Sequence, residues 1–174
     1  MSDKGRQDVC VHVRWMIRRD MVEVLEIENQ SFEFPWSEDD FIKCLRQRDC
    51  IGMVAEYDEK IAGFMIYELH RNRLHILNFS VNPELRRMGV GTQMVEKLIG
   101  KLSSLGRTKI LLEVRETNLA AQLFFRELGF RAISVLRDFY IDTTEDAYLM
   151  QYRYLETEKE FYYQGLNRIT RLSG

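Results

Sequence analysis

Two stretches of the sequence carry residues that could do chemistry. Arg86-Arg87-Met88-Gly89-Val90-Gly91-Thr92 follows the apolar run Ile76 to Val81, closed by Asn82-Pro83. It precedes a helical pattern with Val90, Met94, Val95, Leu98, Ile99 and Leu102 on one face. A strand, a turn and a helix start in that order leave free N–H groups and the positive end of a helix dipole facing the turn, which suits an anion. Gly89 and Gly91 let the backbone approach a phosphate, and Arg86 and Arg87 add charge. The same residues also describe an ordinary strand-to-helix turn with solvated arginines. The turn is not a P-loop, since no Gly-Lys-Ser/Thr follows at the required spacing. Nor is it the dinucleotide fingerprint, whose third glycine is here Met94. The second stretch is Ile110-Leu111-Leu112-Glu113-Val114, a carboxylate among apolar neighbours. Burial there would raise the Glu113 pKa and make a proton acceptor near neutral pH. The alternative is a structural carboxylate paired with Arg115 or another cation.

The elements that must position these residues follow from periodicity. Alternating Val9, Val11, Val13 and Trp15 predict a strand over Val9 to Ile17. Asp20 reads as the N-cap of a helix to Ser31, and Ser37 with Asp40 as a capping pattern for a second helix carrying Phe41, Ile42 and Leu45. Three strands follow: Ile51 to Tyr57, Ile61 to Leu69 with Gly63 marking a bulge or a close contact, and Leu74 to Val81. The helix after the glycine turn ends near Leu105, with Gly106 beyond it. Lys109 to Val114 reads as a strand buried on both faces. Thr117 or Asn118 caps the next helix, Gly129 ends it, and Phe130 to Tyr140 and Ala147 to Tyr154 are late strands. This order predicts an α/β domain over residues 9–154, with a mixed, largely antiparallel twisted sheet flanked by helices, and a tail at 155–174.

Composition excludes several function classes. Net charge is −2 over 174 residues with charges interspersed, so neither nucleic acid nor a membrane surface is an expected partner. The polar start, Met1 to Asp8, has no signal-peptide core, and no apolar run approaches the roughly 20 residues needed to cross a bilayer. Cys10, Cys44 and Cys50 read as reduced thiols of a cytoplasmic protein. His12, His70 and His75 complete no metal signature with them, so no metal is expected.

Taken together, Phe79-Ser80-Val81, the turn Arg86 to Thr92, Leu112-Glu113-Val114-Arg115, Asn118 and Leu128-Gly129-Phe130 resemble the GCN5-related N-acetyltransferase (GNAT) superfamily. Phe34-Pro35-Trp36-Ser37, Leu112 to Arg115 and Glu145-Asp146-Ala147 look most like its RimI-type members, which acetylate a ribosomal protein's N-terminal alanine. The resemblance runs from about Val13 to Arg153 and implies acetyl-CoA as co-substrate. It implies that Phe79, Ser80 and Val81 pair with pantetheine and that Arg86, Arg87, Met88, Gly89, Val90, Gly91 and Thr92 hold the pyrophosphate. Asn118 and Phe125 would contact the cofactor, Glu113 would be the general base, and Phe34, Trp36 and Tyr140 would shape the peptide entrance. RimI-type enzymes usually carry a tyrosine proton donor where this chain has Phe125, which has no proton to give. Tyr140 or a water would then serve the leaving thiolate.

The expected reaction is acetyl transfer to the α-amino group of a protein or peptide, a ribosomal protein N-terminal alanine among the acceptors. An α-amine, with a pKa of about 7.7–8.0, is easier to deprotonate than lysine, at about 10.4, by roughly 3.4 kcal/mol. The alternatives are transfer to lysine or a small amine, and a catalytically impaired acyl-CoA-binding module. The sequence does not define the oligomeric state.

Overall fold

A computed structural model describes residues 7–154. Seven strands form one sheet: β1 (His12–Trp15), β2 (Cys50–Tyr57), β3 (Lys60–Leu69), β4 (Arg73–Val81), β5 (Lys109–Arg115), β6 (Arg131–Tyr140) and β7 (Glu145–Arg153). Their order is β1-β2-β3-β4-β5-β7-β6. Only β4 and β5 pair in parallel, and α3 (Val90–Ser104) is the crossover that joins them. The helices are α1 (Met21–Ser31), α2 (Glu38–Leu45), α3 (Val90–Ser104) and α4 (Leu119–Glu127).

Two hydrophobic clusters, one on each face, sandwich the sheet. Val90, Met94, Val95, Leu98 and Leu102 of α3 and Phe125 of α4 pack with Leu74, Ile76, Ile110, Leu112 and Val114. Val24 and Ile27 of α1 and Phe41 of α2 pack with Val54, Phe64 and Ile66 on the other face. A bulge in β4 redirects its side chains between these layers. Ile66 opposes Asn78 and Tyr67 opposes Ile76, leaving Leu77 as the extra residue. Before the bulge, Leu74 and Ile76 face α3; after it, Phe79 and Val81 do, while Leu77 joins the α1 cluster.

The central pair of strands separates. β4 pairs with β5 only from Arg73–Lys109 to Ile76–Leu112, although both strands continue. Glu113 to Arg115 keep their pairing to β7, and Phe79 to Val81 keep theirs to β3. A wedge therefore opens between β4 and β5. The Asn82 N–H donates to the Ala62 carbonyl at 2.8 Å, so by alternation the Phe79 and Val81 N–H groups point the other way, into the wedge.

Several expectations are met and some are revised. Ser37 and Asp40 form a reciprocal capping box at α2, and Asn118 caps α4 by accepting from the Ala121 N–H at 3.1 Å. Gly63 adjoins a bulge and makes a close contact: a Cβ there would lie 3.0 Å from the Ser80 carbonyl oxygen. β1 is shorter than the alternation predicts, because Val9 donates its N–H to the Met88 carbonyl and Val11 to the Gln93 side chain instead of to a strand. Asp20 precedes α1 without capping it. Arg14 takes its carboxylate in two bonds of 2.8 and 3.0 Å. β5 is not buried on both faces; Ile110, Leu112 and Val114 are buried, and Leu111, Glu113 and Arg115 face the half-covered side. Among the described residues no helix is long and apolar enough to cross a membrane. The tail at 155–174 lies outside the described residues.

Candidate functional site

The α3 side of the wedge is made of backbone and apolar rings. Gly89 takes φ +77° as the residue preceding α3, a left-handed conformation that glycine adopts without steric cost. Arg87 takes φ +60° in the same turn. Val90, Gly91 and Thr92 are the first residues of α3, so their N–H groups have no carbonyl partner inside the helix. Gly91 is closely packed: a Cβ would lie 3.1 Å from Phe124 Cζ and 3.3 Å from Phe79 Cζ, so the rings would have to give way. Those two rings stack at 5.9 Å, and Phe125 meets both, edge to face, at 5.9 and 5.0 Å. Phe125 is only 3% exposed and also packs on Phe130, so the structure uses it as core. Arg86 bends back from the turn. Its Nε donates to the Val81 carbonyl at 3.1 Å and its Nη2 to Ser31 Oγ at 2.9 Å, which ties the turn to β4 and α1. Ser80 is buried and donates to the same Ser31 hydroxyl at 2.7 Å.

The opposite side is made of charge. Glu113 lies just past the point where β4 and β5 part, half-buried, on the face toward α1. Its partner is not Arg115 but His75 of β4, whose Nε2 lies 2.7 Å from Glu113 Oε2. With Glu113 ionised, that nitrogen is the donor, which occupies one carboxylate oxygen and leaves Oε1 for a substrate proton. Arg115 instead bonds Asp142 at 2.8 Å and Thr143 at 2.9 Å and reaches Glu145 at 3.4 Å. Its guanidinium lies 3.8 Å from the centre of the Tyr140 ring and 5.8 Å from that of Phe34, both within cation–π range. Arg115 thereby joins two of the residues expected at the peptide entrance.

Tyr140 reaches Glu113 because β6 is irregular. Leu136 opposes Ala147 and Tyr140 opposes Glu145, so Arg137, Asp138 and Phe139 bulge against Asp146 alone. The Asp146 carboxylate closes that bulge by accepting from Arg137 and from the Asp138 N–H. Glu145 accepts from Thr117 Oγ1 at 2.6 Å, fixing β7 to the loop before α4. The motif Glu145-Asp146-Ala147 is thus a brace that carries the Tyr140 hydroxyl to 3.5 Å from the Glu113 carbonyl oxygen. Burial pushes the Tyr140 phenol above its ordinary pKa despite the nearby Arg115, so it holds its proton at neutral pH.

Phe34 and Trp36 separate in role. Phe34 is 47% exposed beside Arg115, whereas the Trp36 ring packs edge to face on Phe41 at 5.3 Å. The Trp36 N–H donates to Glu28 Oε1 at 2.7 Å, and Asn78 donates to Glu28 Oε2 at 3.0 Å. Glu28 is 1% exposed, and burial raises its pKa. Sequence reasoning passes over Glu28 and weighs His75 only as a metal ligand. Glu28 sits at helical spacing from buried Val24, and His75 is a polar residue inside an apolar strand. Either exception to its pattern is a signal. The structure also brings His70 and His75 together with Glu68, a grouping that spacing alone does not disclose.

The chain matches the model of the Acetyltransferase (GNAT) family over residues 21–130. It is 31% identical over 133 residues to the ribosomal protein bS18-alanine N-acetyltransferase of Salmonella typhimurium, covering 75% of this chain and 89% of that protein. Among solved structures it resembles the ribosomal-protein-S18-alanine N-acetyltransferase from Escherichia coli, with a TM-score of 0.76 and 28% identity over 86% of this chain and 97% of that one. It also resembles Ard1 from Thermoplasma volcanium, with a TM-score of 0.78 and 26% identity over 85% of this chain and 100% of that one. With a family match over more than half its length and a parted sheet flanked by the glycine turn, the chain belongs to the GNAT acetyltransferase family.

Proposed function

We propose that this protein transfers an acetyl group from acetyl-CoA to the α-amino group of a protein N-terminus in the cytoplasm, with a ribosomal protein beginning in alanine as the acceptor class. The observation that carries this reading is the wedge between β4 and β5, with a backbone anion cradle on one side and a paired carboxylate on the other. Acetyl-CoA fits the first side, where the N–H groups at the start of α3 meet phosphate and the Phe79 and Val81 N–H groups face the wedge. When bound, it supplies an activated acyl group with a thiolate leaving group.

The chain's own residues do the rest. Glu113 Oε1 takes the proton of the incoming ammonium or amine while His75 holds Oε2. The Val81 N–H stabilises negative charge developing on the acyl oxygen. The Tyr140 phenol, kept protonated by burial, donates to the departing sulfur. Phe34 and Tyr140, bridged by Arg115, shape the entrance for the first residues of the acceptor.

The test is mass spectrometry of peptides incubated with acetyl-CoA and the protein. An alanine-starting peptide should gain one acetyl group at its α-amine, faster than a blocked lysine peptide or a polyamine. Unchanged mass across varied N-termini overturns the reading. Glu113→Gln should lower kcat by about 10²–10⁴-fold, the usual worth of a general base, with little change in KM for acetyl-CoA.

A further inference from the structure

The face that presents Glu113 carries a second group of polar side chains, which shares His75 with the reaction above. Glu68 at the end of β3, His70 just after it and His75 in β4 each offer a metal-ligand atom, all within 4.8 Å of one another. His70 Nε2 and Glu68 Oε2 are 3.1 Å apart, close to the separation of two ligands on one tetrahedral zinc ion. The His75 ring lies 6.1 Å, centre to centre, from that of His70, and the three side chains are 21–36% exposed. Its Nε2 is engaged by the Glu113 carboxylate at 2.7 Å, which leaves Nδ1 for a metal. A histidine that ligates through one nitrogen and donates from the other to a carboxylate is the usual outer-shell arrangement of metal sites.

The donor set selects the ion. Two imidazoles and one carboxylate suit zinc and its neighbours, whereas magnesium and calcium prefer all-oxygen ligands. Among the described residues neither Cys44 nor Cys50 joins this group, so no soft ligand is added.

We propose that Glu68, His70 and His75 bind a divalent transition-metal ion of the zinc type, with its remaining position open to water, and that the ion restrains Glu113 through His75. A cation on Nδ1 fixes the imidazole whose Nε2 holds Glu113 Oε2, so the carboxylate loses freedom to turn toward an incoming amine. Binding therefore slows acetyl transfer reversibly. The binding part stands by itself; the inhibitory part rests on Glu113 being the base.

Calorimetric titration of the whole chain with zinc chloride should show one saturable ion per chain, with magnesium chloride giving no comparable signal. His70→Ala should weaken zinc binding at least about tenfold and leave the metal-free acetylation rate unchanged, because His70 touches neither Glu113 nor the wedge. Zinc should slow the wild-type enzyme, EDTA should restore it, and His70→Ala should resist the effect. Absence of saturable binding, or equal affinity in His70→Ala, overturns the site. Site-specific binding without any change in rate overturns the coupling to Glu113. If Glu113→Gln retains the full metal-free rate, the base assignment fails instead, whatever the zinc titration shows.

Discussion

The two sides of the wedge are built by different physics. On the α3 and α4 side, a helix N-terminus, two glycines and a cluster of three phenylalanines form a cradle from backbone and apolar packing. Its function depends on shape, so one added side-chain carbon matters. On the α1 side, Glu113, His75, Arg115, Tyr140, Asp142 and Glu145 form a set of charge-assisted pairs. There, small changes of charge or hydrogen bonding matter and volume matters less. Binding a donor common to a family suits the first kind of site, and discriminating among acceptors suits the second. Breaking one side should therefore move different kinetic constants from breaking the other.

The largest expected separation comes from Tyr140→Phe. Losing the phenolic proton should lower kcat by about 10²-fold and leave KM for acetyl-CoA within twofold, since general acid assistance is worth about 10²–10⁴. A rate within twofold of wild type assigns the leaving thiolate's proton to solvent. His75→Ala comes next. It removes a hydrogen bond to a charged oxygen, a contact worth about 1.5–3 kcal/mol, and should lower kcat about tenfold. His75→Gln should recover part of that loss, because its amide N–H can still donate to Glu113 Oε2. Equal loss in both variants would mean that the imidazole does more than orient the base.

On the cradle side, Gly91→Val should behave in the opposite way. Its branched side chain meets Phe124 and Phe79 at distances shorter than van der Waals contact, so the rings must shift. Overpacking of this kind destabilises by about 1–3 kcal/mol. KM for acetyl-CoA should rise, while kcat at saturation falls less than in Tyr140→Phe. A melting curve and a KM measurement on the same sample check both effects. Unchanged KM would place the donor away from the first turn of α3.

The same contrast decides which parts of the molecule are legible in its sequence. The anion-binding part of the cradle is contiguous along the chain: apolar strand, Asn-Pro, basic glycine turn, amphipathic helix. Local pattern therefore discloses it, down to the capping Asn118. The charged side is assembled across the sheet by register, and register cannot be seen locally. Glu113 is visible as a carboxylate in an apolar strand, but its partner is not, because His75 lies 38 residues away on a parallel neighbour. Arg115 is the nearer cation, and the sheet sends it to Asp142 and Glu145 instead. Leu77, the extra residue in β4, defeats strict alternation from that point, so Asn78 and Ser80 face α1 where a regular strand would turn them to α3.

Glu28 tests how far the acceptor-side loop depends on one buried carboxylate. It holds the Trp36 N–H and the Asn78 amide, and Trp36 follows directly on the Phe34-Pro35 pair at the proposed entrance. Burial raises its pKa above that of an exposed glutamate, and the two hydrogen bonds only partly offset this. The folded state therefore keeps the Glu28 proton at a pH where the unfolded chain has released it. Where the folded state binds more protons, stability falls as pH rises. The contribution from Glu28 is thus fully favourable below the ordinary glutamate range and is lost as pH climbs through its raised value. Glu28→Gln should flatten that slope, since a neutral amide has no charge to bury, and its carbonyl can still accept from Trp36. Urea unfolding across mildly acidic to neutral pH would show the two curves converging at the acid end, with wild type dropping away from Glu28→Gln toward neutrality. Parallel curves would mean that Glu28 is solvated enough to titrate like an exposed carboxylate.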